Sequence, residues 1–400
     1  MTSGVRRLYE AAMPVSGVSM SRIVAPLLCA LLLASTARAE EPANFDTELR
    51  HIRRLVACDT RVGDIKPPDG LTLKAVDASC KKVKAQIDRF RARWLDKARP
   101  FLANIVPADV PKTVVYPFGG ADLLTALTTY PNFATLTTMS LEWAGDPRAV
   151  LKLDAGDLRR NLSTQHAFLI KLFQVNHNRT VDLQELNQSP IPAPLVFGLT
   201  ALELLGYEPV HARWFRLNDD GTVHYLTPGD IAAFEASPGT KKQKDRNEFF
   251  AHMELSFRKN GDASAPLQVW RHMRVNLGDD ELSKSSALKY LKNQGTIAAM
   301  TKAASYLMWR DDFSVIRNYL LDHMTWMISD TTGPTPYQAA EKGFIQETWG
   351  TFQGNMFAGA RRGELAMIEL WKTNPKRALP FQFGYPDENE HDHMMVTRKK

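Results

Sequence analysis

The chain has 400 residues and a formal net charge of +6. Four arginines (Arg6, Arg7, Arg22, Arg38) and Glu10 lie in the first 39 residues, so residues 40–400 carry only +3. So slight an excess excludes the concentrated basic face of a nucleic-acid binder, and the length allows one large domain or two ordinary ones.

Residues 1–39 read as an address. Met20 and Arg22 open a short basic segment, residues 23–34 (IVAPLLCALLLA) form an apolar stretch of 12, and Ala37-Arg38-Ala39 is a small-x-small cleavage signature before Glu40. This pattern predicts a secretory signal peptide with its effective start near Met20, residues 1–19 being an upstream extension. The apolar stretch is too short for a retained membrane span. Leu28 before Cys29 is bulkier than the residue that precedes a lipid-modified cysteine, so neither a lipid nor a transmembrane anchor is expected. A periplasmic or secreted chain has no supply of ATP, NAD or S-adenosylmethionine, so no cofactor is expected. Cys58 and Cys80, the two cysteines left after cleavage, are expected to form a disulfide in an oxidising compartment, the alternative being two buried thiols.

Residues 45–58 place Leu49, Ile52, Leu55 and Val56 at helical spacing. Lys66-Pro-Pro-Asp-Gly70 breaks the pattern. A longer helix is predicted over residues 72–104, with Val76, Val83, Ile87, Phe90, Trp94 and Leu95 on one face. Stapled by the disulfide, residues 40–105 would form a helical hairpin cap able to meet a protein partner, ahead of a main domain over 106–400. The lysines Lys81, Lys82 and Lys84 read as a solvated face.

From Thr113 the period changes. Residues 113–116 read as a buried strand, 120–129 as a helix and 135–141 as a second strand. Residues 147–176 and 190–206 read as helices, the latter with prolines at its start and glycine at its end. Asn218-Asp-Asp-Gly221 marks a hairpin between strands at 208–217 and 222–226. Residues 237–244 form a polar surface loop. Strands follow at 249–258 and 268–275. A helix capped by Asp279 or Asp280 is predicted to run to Asn293. A second, capped by Asp312, would carry the stripe Phe313, Ile316, Leu320, Met324 and Met327 to Ile328. Residues 380–385 and 393–398 read as two last strands. Strand–helix–strand order early and an antiparallel middle predict a mixed α/β fold, a Rossmann-like three-layer domain.

The stretch that most resembles machinery is Tyr116-Pro-Phe-Gly-Gly-Ala-Asp122, followed by Glu142 after the next strand. It resembles the opening half of a nucleotide-binding βαβ unit, and the first motif of S-adenosylmethionine methyltransferases. Glycine lets a ligand approach backbone, and a helix start offers free N–H groups. Only Gly119 and Gly120 are present, however, adjacent and without the G-x-G-x-x-G spacing, and Asp122 would repel a phosphate. These residues point instead to a small, polar, non-phosphorylated ligand, bound or hydrolysed, with Tyr116, Phe118, Gly119, Gly120, Asp122 and Glu142 as its walls. Tyr306, Arg310 and Asp330 are further candidates; the plainer reading of 329–334 is a helix C-terminal loop. Arg317 is read as half of a structural ion pair. His391 and His393 sit at i and i+2, where two strand side chains share a face and could share a metal, but the preferred reading is an acidic, solvated loop between the last strands and no metal is expected. The competing reading is a non-catalytic envelope protein in which the glycine turn serves the fold alone. A degenerate methyltransferase-like fold is a more distant alternative.

The segments Tyr116–Asp122, Ser140-Leu-Glu-Trp-Ala-Gly145, Lys302-Ala-Ala-Ser-Tyr306, Asp312-Phe-Ser-x-Ile-Arg-Asn318 and Gly384-Tyr-Pro386 resemble a family of uncharacterised exported bacterial proteins over most of residues 110–398. That resemblance implies an exported chain and no particular activity.

Overall fold

A computed structural model describes residues 40–175, 189–237, 242–354, 361–385 and 391–400. Its centre is a ten-stranded sheet in the order β4-β3-β5-β6-β2-β1-β7-β8-β10-β9. The strands are β1 Thr113–Pro117, β2 Thr135–Ser140, β3 Tyr207–Leu217, β4 Val223–Tyr225, β5 His252–Lys259, β6 Gln268–Arg274, β7 Ile297–Thr301, β8 Met324–Ser329, β9 Phe344–Gly350 and β10 His393–Lys399. The five middle strands, β6, β2, β1, β7 and β8, run parallel to one another. Antiparallel strands flank them on both sides. The fold is therefore mixed α/β, as the sequence implies.

The central strands are apolar on both faces, as strands covered by helices on each side must be. In β1, Val114 and Tyr116 enter one core while Val115 enters the other. In β7, Ala298 and Met300 face the first core, and Ile297 and Ala299 the second. The first core is roofed by the helices before β1, by Leu123–Thr129, by Ala155–Val175 and by Ala193–Leu205. The second takes Ser286–Lys292 and Ser314–His323. This makes three layers. Contact is close enough to select residue size: a Cβ on Gly198 would lie 2.2 Å from the Trp270 ring.

The N-terminal helices share the first core with the sheet. Asp46–His51 runs into a wider turn at Ile52–Val56. Leu73–Phe90 continues through a similar turn, Arg91–Leu95, to Asp96–Ile105. Phe45 meets Trp214 of β3 edge-on at 4.9 Å, and the Trp94 indole donates to the Gln382 carbonyl at 2.6 Å. Their apolar stripes are thus spent inward. Cys58 and Cys80 form the expected disulfide.

Four expectations are corrected. Asp312 does not cap the later helix: it faces Arg310 at 2.9 Å from within a short turn, Asp311–Phe313. The cap comes from Asp279, which accepts from Ser314 N at 3.0 Å and Val315 N at 2.8 Å. The helix itself ends at His323, and Met324 and Met327 belong to β8. Their spacing continues the helical stripe by coincidence, and pairing with β7 overrides it. Residues 279–293 break into two helices, Asp279–Leu282 and Ser286–Lys292, because the Ser285 hydroxyl starts the second by accepting from Ala287 N at 3.0 Å. Residues 380–385 form no strand; Phe381 and Phe383 are buried from an irregular segment. Strands β7 and β9 and the helices Pro336–Glu341 and Arg361–Thr373 were not expected.

The disulfide joins residues 22 apart. Replacing both cysteines by serine should cost about 3 kcal/mol by loop entropy, read as a lowered midpoint in chemical denaturation; an unchanged midpoint would show that the bridge does not constrain the chain.

Candidate functional site

The parallel strands all end on one edge of the sheet. From β1 the chain moves to β2 on one side, and later returns to β7 on the other. The gap between the carboxyl ends of β1 and β7 is thus a topological switch point, where open α/β sheets form a crevice. The groups that meet there come from several separate stretches.

The first is the glycine turn. Phe118 and Gly120 adopt left-handed backbone, with φ of +60° and +52°. Such a conformation is unfavourable for phenylalanine by roughly 1–2 kcal/mol. Gly119 is required for another reason: a Cβ there would lie 2.5 Å from the Tyr116 ring, which packs flat beneath it. The turn ends at Asp122, whose Oδ1 accepts from Thr125 N at 3.1 Å and so caps the helix Leu123–Thr129.

The second is Lys302, the first residue after β7. Its Nζ donates to Asp122 Oδ2 at 3.0 Å and to Thr125 Oγ1 at 3.2 Å, and lies 5.8 Å from the Phe383 ring centre. The lysine side chain is 6% exposed and the aspartate 25%, so Asp122 is the partner that reaches solvent. The Tyr116 hydroxyl donates to the same oxygen at 3.1 Å. Burial, then the Asp122 charge and its hydrogen bond, push the Tyr116 phenol well above its usual pKa. It remains a proton donor at physiological pH.

Asp330 and Gly384 complete this half. Asp330, the first residue after β8, is fully buried. Its carboxylate accepts from Ala303 N at 2.8 Å, from Thr332 N at 2.9 Å and from the Thr332 hydroxyl. It therefore holds the left-handed turn at Ala303, whose φ is +60°. Gly384 packs on it so closely that a Cβ would fall 2.2 Å from Asp330 Oδ2.

Glu142 approaches from the other side, two residues beyond β2. Its Oε2 lies 3.9 Å from the position a Gly120 Cβ would take, and is buried with no hydrogen-bond partner. The Trp143 indole nitrogen and Arg274 Nε are likewise buried without partners, and the Arg274 guanidinium stacks over Trp143 at 4.7 Å. Beneath them His272, fully buried on β6, joins both loops: Nδ1 lies 3.1 Å from Gly120 O and Nε2 3.0 Å from Glu142 O. Burial holds its pKa below the usual histidine value, against the opposing pull of the Glu142 charge. The neighbouring His252, also depressed chiefly by burial, is lowered to about 4 and accepts from Arg274 N at 3.1 Å.

The candidates read from the sequence divide. Tyr116, Phe118, Gly119, Gly120, Asp122 and Glu142 surround the end of β1. Asp330 lies in the same region but is turned inward as a tether. Tyr306 is half-buried on the turn Ala303–Trp309 that leads away from Lys302. Arg310 is exposed, pairs with Asp312, and lines a different cleft of about 690 Å³ with Arg317 and Tyr337. Arg317 forms no ion pair with an acid among the described residues; its guanidinium donates to the Met308 and Arg310 carbonyls at 2.7 and 2.9 Å. Segment 329–334 follows a strand, not a helix. His393 is buried, with Nε2 3.2 Å from Thr331 Oγ1 and Nδ1 3.2 Å from His391 O, so both ring nitrogens face other groups. Lys302, Thr125, His272 and Arg274 were missed as site residues. The one available signal was a lysine placed just beyond the apolar run Ile297–Met300.

The chain matches no family model, no curated protein and no solved structure.

Two outcomes follow from this geometry. Lys302→Met strands a partly buried carboxylate and should cost about 3 kcal/mol in chemical denaturation, with Asp122→Asn added to it recovering part of the loss; full additivity would argue that the pair is not coupled. For His252, a folded pKa of about 4 against 6.5 unfolded means that its contribution is complete above pH 6.5 and is lost as pH falls toward 4. His252→Asn should therefore flatten the stability–pH curve between these values, and an unaltered slope would contradict the assignment.

Proposed function

We propose that the protein is an exported binder of a small polar ligand, held at the carboxyl ends of β1, β2 and β7. The observation that carries this reading is the meeting of Asp122, Lys302 and Tyr116 with the glycine turn and Glu142 at the switch point. These groups come from stretches up to 180 residues apart, and they meet around the buried glycines Gly119 and Gly120. Export is supported by the leader pattern of residues 1–39 and agrees with the disulfide.

The chemistry favours a ligand that donates hydrogen bonds. Asp122 Oδ2 is already taken by Tyr116 and Lys302, while Oδ1 has one donor from Thr125. A carboxylate oxygen accepts more than one bond, so Oδ1 retains capacity. Glu142 Oε2 has no donor at all. A hydroxyl or amine group placed between them would satisfy both. A buried acceptor left without a donor costs about 1–3 kcal/mol, which a ligand would return on binding.

The opposing reading, a turn that serves only the fold, draws on the same Asp122 contacts, since each of its oxygens already has an internal partner. Glu142 separates the two. With the purified protein and a panel of amino acids, amines and polyols, a ligand-induced thermal shift is expected from at least one compound. Glu142→Gln should abolish that shift while leaving the ligand-free protein as stable as before or more so. No shift from any compound, or the same shift in Glu142→Gln, would sink the assignment.

A further inference from the structure

A second cluster lies far from the strand ends, around the disulfide. Cys58 closes the first helical segment, Cys80 lies on the helix Leu73–Phe90, and His166 projects from Ala155–Val175. The three are 1%, 4% and 3% exposed. His166 Nε2 is 3.5 Å from Cys58 Sγ, and the two sulfurs and a ring nitrogen all fall within 4.8 Å of one another. A packing role alone does not call for a histidine here; an apolar side chain would fill the space without a polar atom to satisfy.

We propose that the reduced protein binds one thiophilic divalent cation of the zinc class through Cys58, Cys80 and His166, so that a metal replaces the covalent staple. Two thiolates and one imidazole are a ligand set that zinc accepts, and two thiolates cancel the charge of a dication, leaving no net charge in a dry interior. The disulfide and the metal exclude each other. A dithiol or phosphine reductant supplies two electrons and is itself oxidised. The S–S bond breaks, two protons are taken up, and two thiols form. Binding of the cation then releases those two protons.

The surroundings of His166 suit this exchange. With the disulfide formed, Nε2–H donates to the Val56 carbonyl at 3.0 Å, and Nδ1 accepts from the Ser79 hydroxyl at 2.7 Å. A hydroxyl donates or accepts by rotation. Moving the proton to Nδ1, with Ser79 Oγ now accepting, turns the Nε2 lone pair toward the sulfurs and fixes the ring as outer partners of metal-bound histidines do. The Val56 carbonyl, freed from the ring, lies 3.8 Å from Cys58 Sγ and is placed to serve as a fourth ligand. This site is independent of the strand-end site.

The test uses Co²⁺ as an optical probe on the full chain, reduced with a phosphine under anaerobic conditions. One Co²⁺ per chain is expected, with a thiolate-to-cobalt charge-transfer band that Zn²⁺ abolishes, and with a raised unfolding temperature relative to the reduced metal-free chain. Cys58→Ser should lose the band. His166→Ala should weaken binding by roughly 100-fold, at the upper end of what is lost when metal ligation is perturbed. The oxidised protein should show no band. The proposal is overturned by a reduced chain that gives no band at one equivalent, or by His166→Ala binding with unchanged affinity. A band with no gain in unfolding temperature also overturns it, because that is the behaviour of thiols on an unfolded chain.

Discussion

One carboxylate fastens the centre of this molecule. Asp122 caps the helix that leaves β1 through one oxygen, and takes the Tyr116 hydroxyl and the Lys302 ammonium on the other. It thereby ties β1, the following helix and β7 together at the point where the chain's path reverses across the sheet. A lysine this buried needs a partner that compensates its lost hydration, and Asp122 is the charge supplied. The arrangement explains why the turn is built from glycine. Tyr116 must lie beneath Gly119 for its hydroxyl to reach Asp122, and a side chain at that position would meet the ring.

The same constraint shapes what lies around it. Holding β7 against β1 requires the chain after β7 to turn sharply, and the left-handed Ala303 is held by Asp330 from the end of β8. Gly384 in turn allows the C-terminal segment to close over Asp330. On the other side the buried His272 ring lies between the carbonyls of Gly120 and Glu142 and has one N–H to donate to one of them, so the ends of β6, β2 and β1 pack around a single ring. The strand-end edge is thus stiff through most of its length. Its unsatisfied atoms, Glu142 Oε2, Trp143 Nε1 and Arg274 Nε, lie on the side of the buried glycine turn that Glu142 approaches.

Much of this was legible from local pattern. The strand, glycine turn, helix and strand from Thr113 to Ser140 follow from a change of period and a turn signal. The hairpin at Asn218–Gly221 follows from its turn residues, and the disulfide from two cysteines behind an export-type leader. What was hidden depends on contacts between distant residues. Strand β7 is only five residues long and buried throughout, apolar but for Thr301, with no alternation to announce it. The stripe through Ile316, Leu320, Met324 and Met327 fits a helix in sequence, yet Met324 and Met327 are claimed by pairing with β7. The pairing of Lys302 with Asp122 spans 180 residues, and no local rule selects that lysine. Asp312 fits a cap by type and position, but Asp279, brought in from another element, makes the shorter contacts.

The proposed ligand would sit at the edge between β1, β2 and β7. Amide hydrogen exchange, compared with and without a pool of small polar metabolites, tests it most directly because it reports position as well as binding. The expected result is slowed exchange confined to the glycine turn at residues 118–123, the loop around Glu142, and Lys302–Ala303. Protection that appears elsewhere, or no protection anywhere, would contradict the claim.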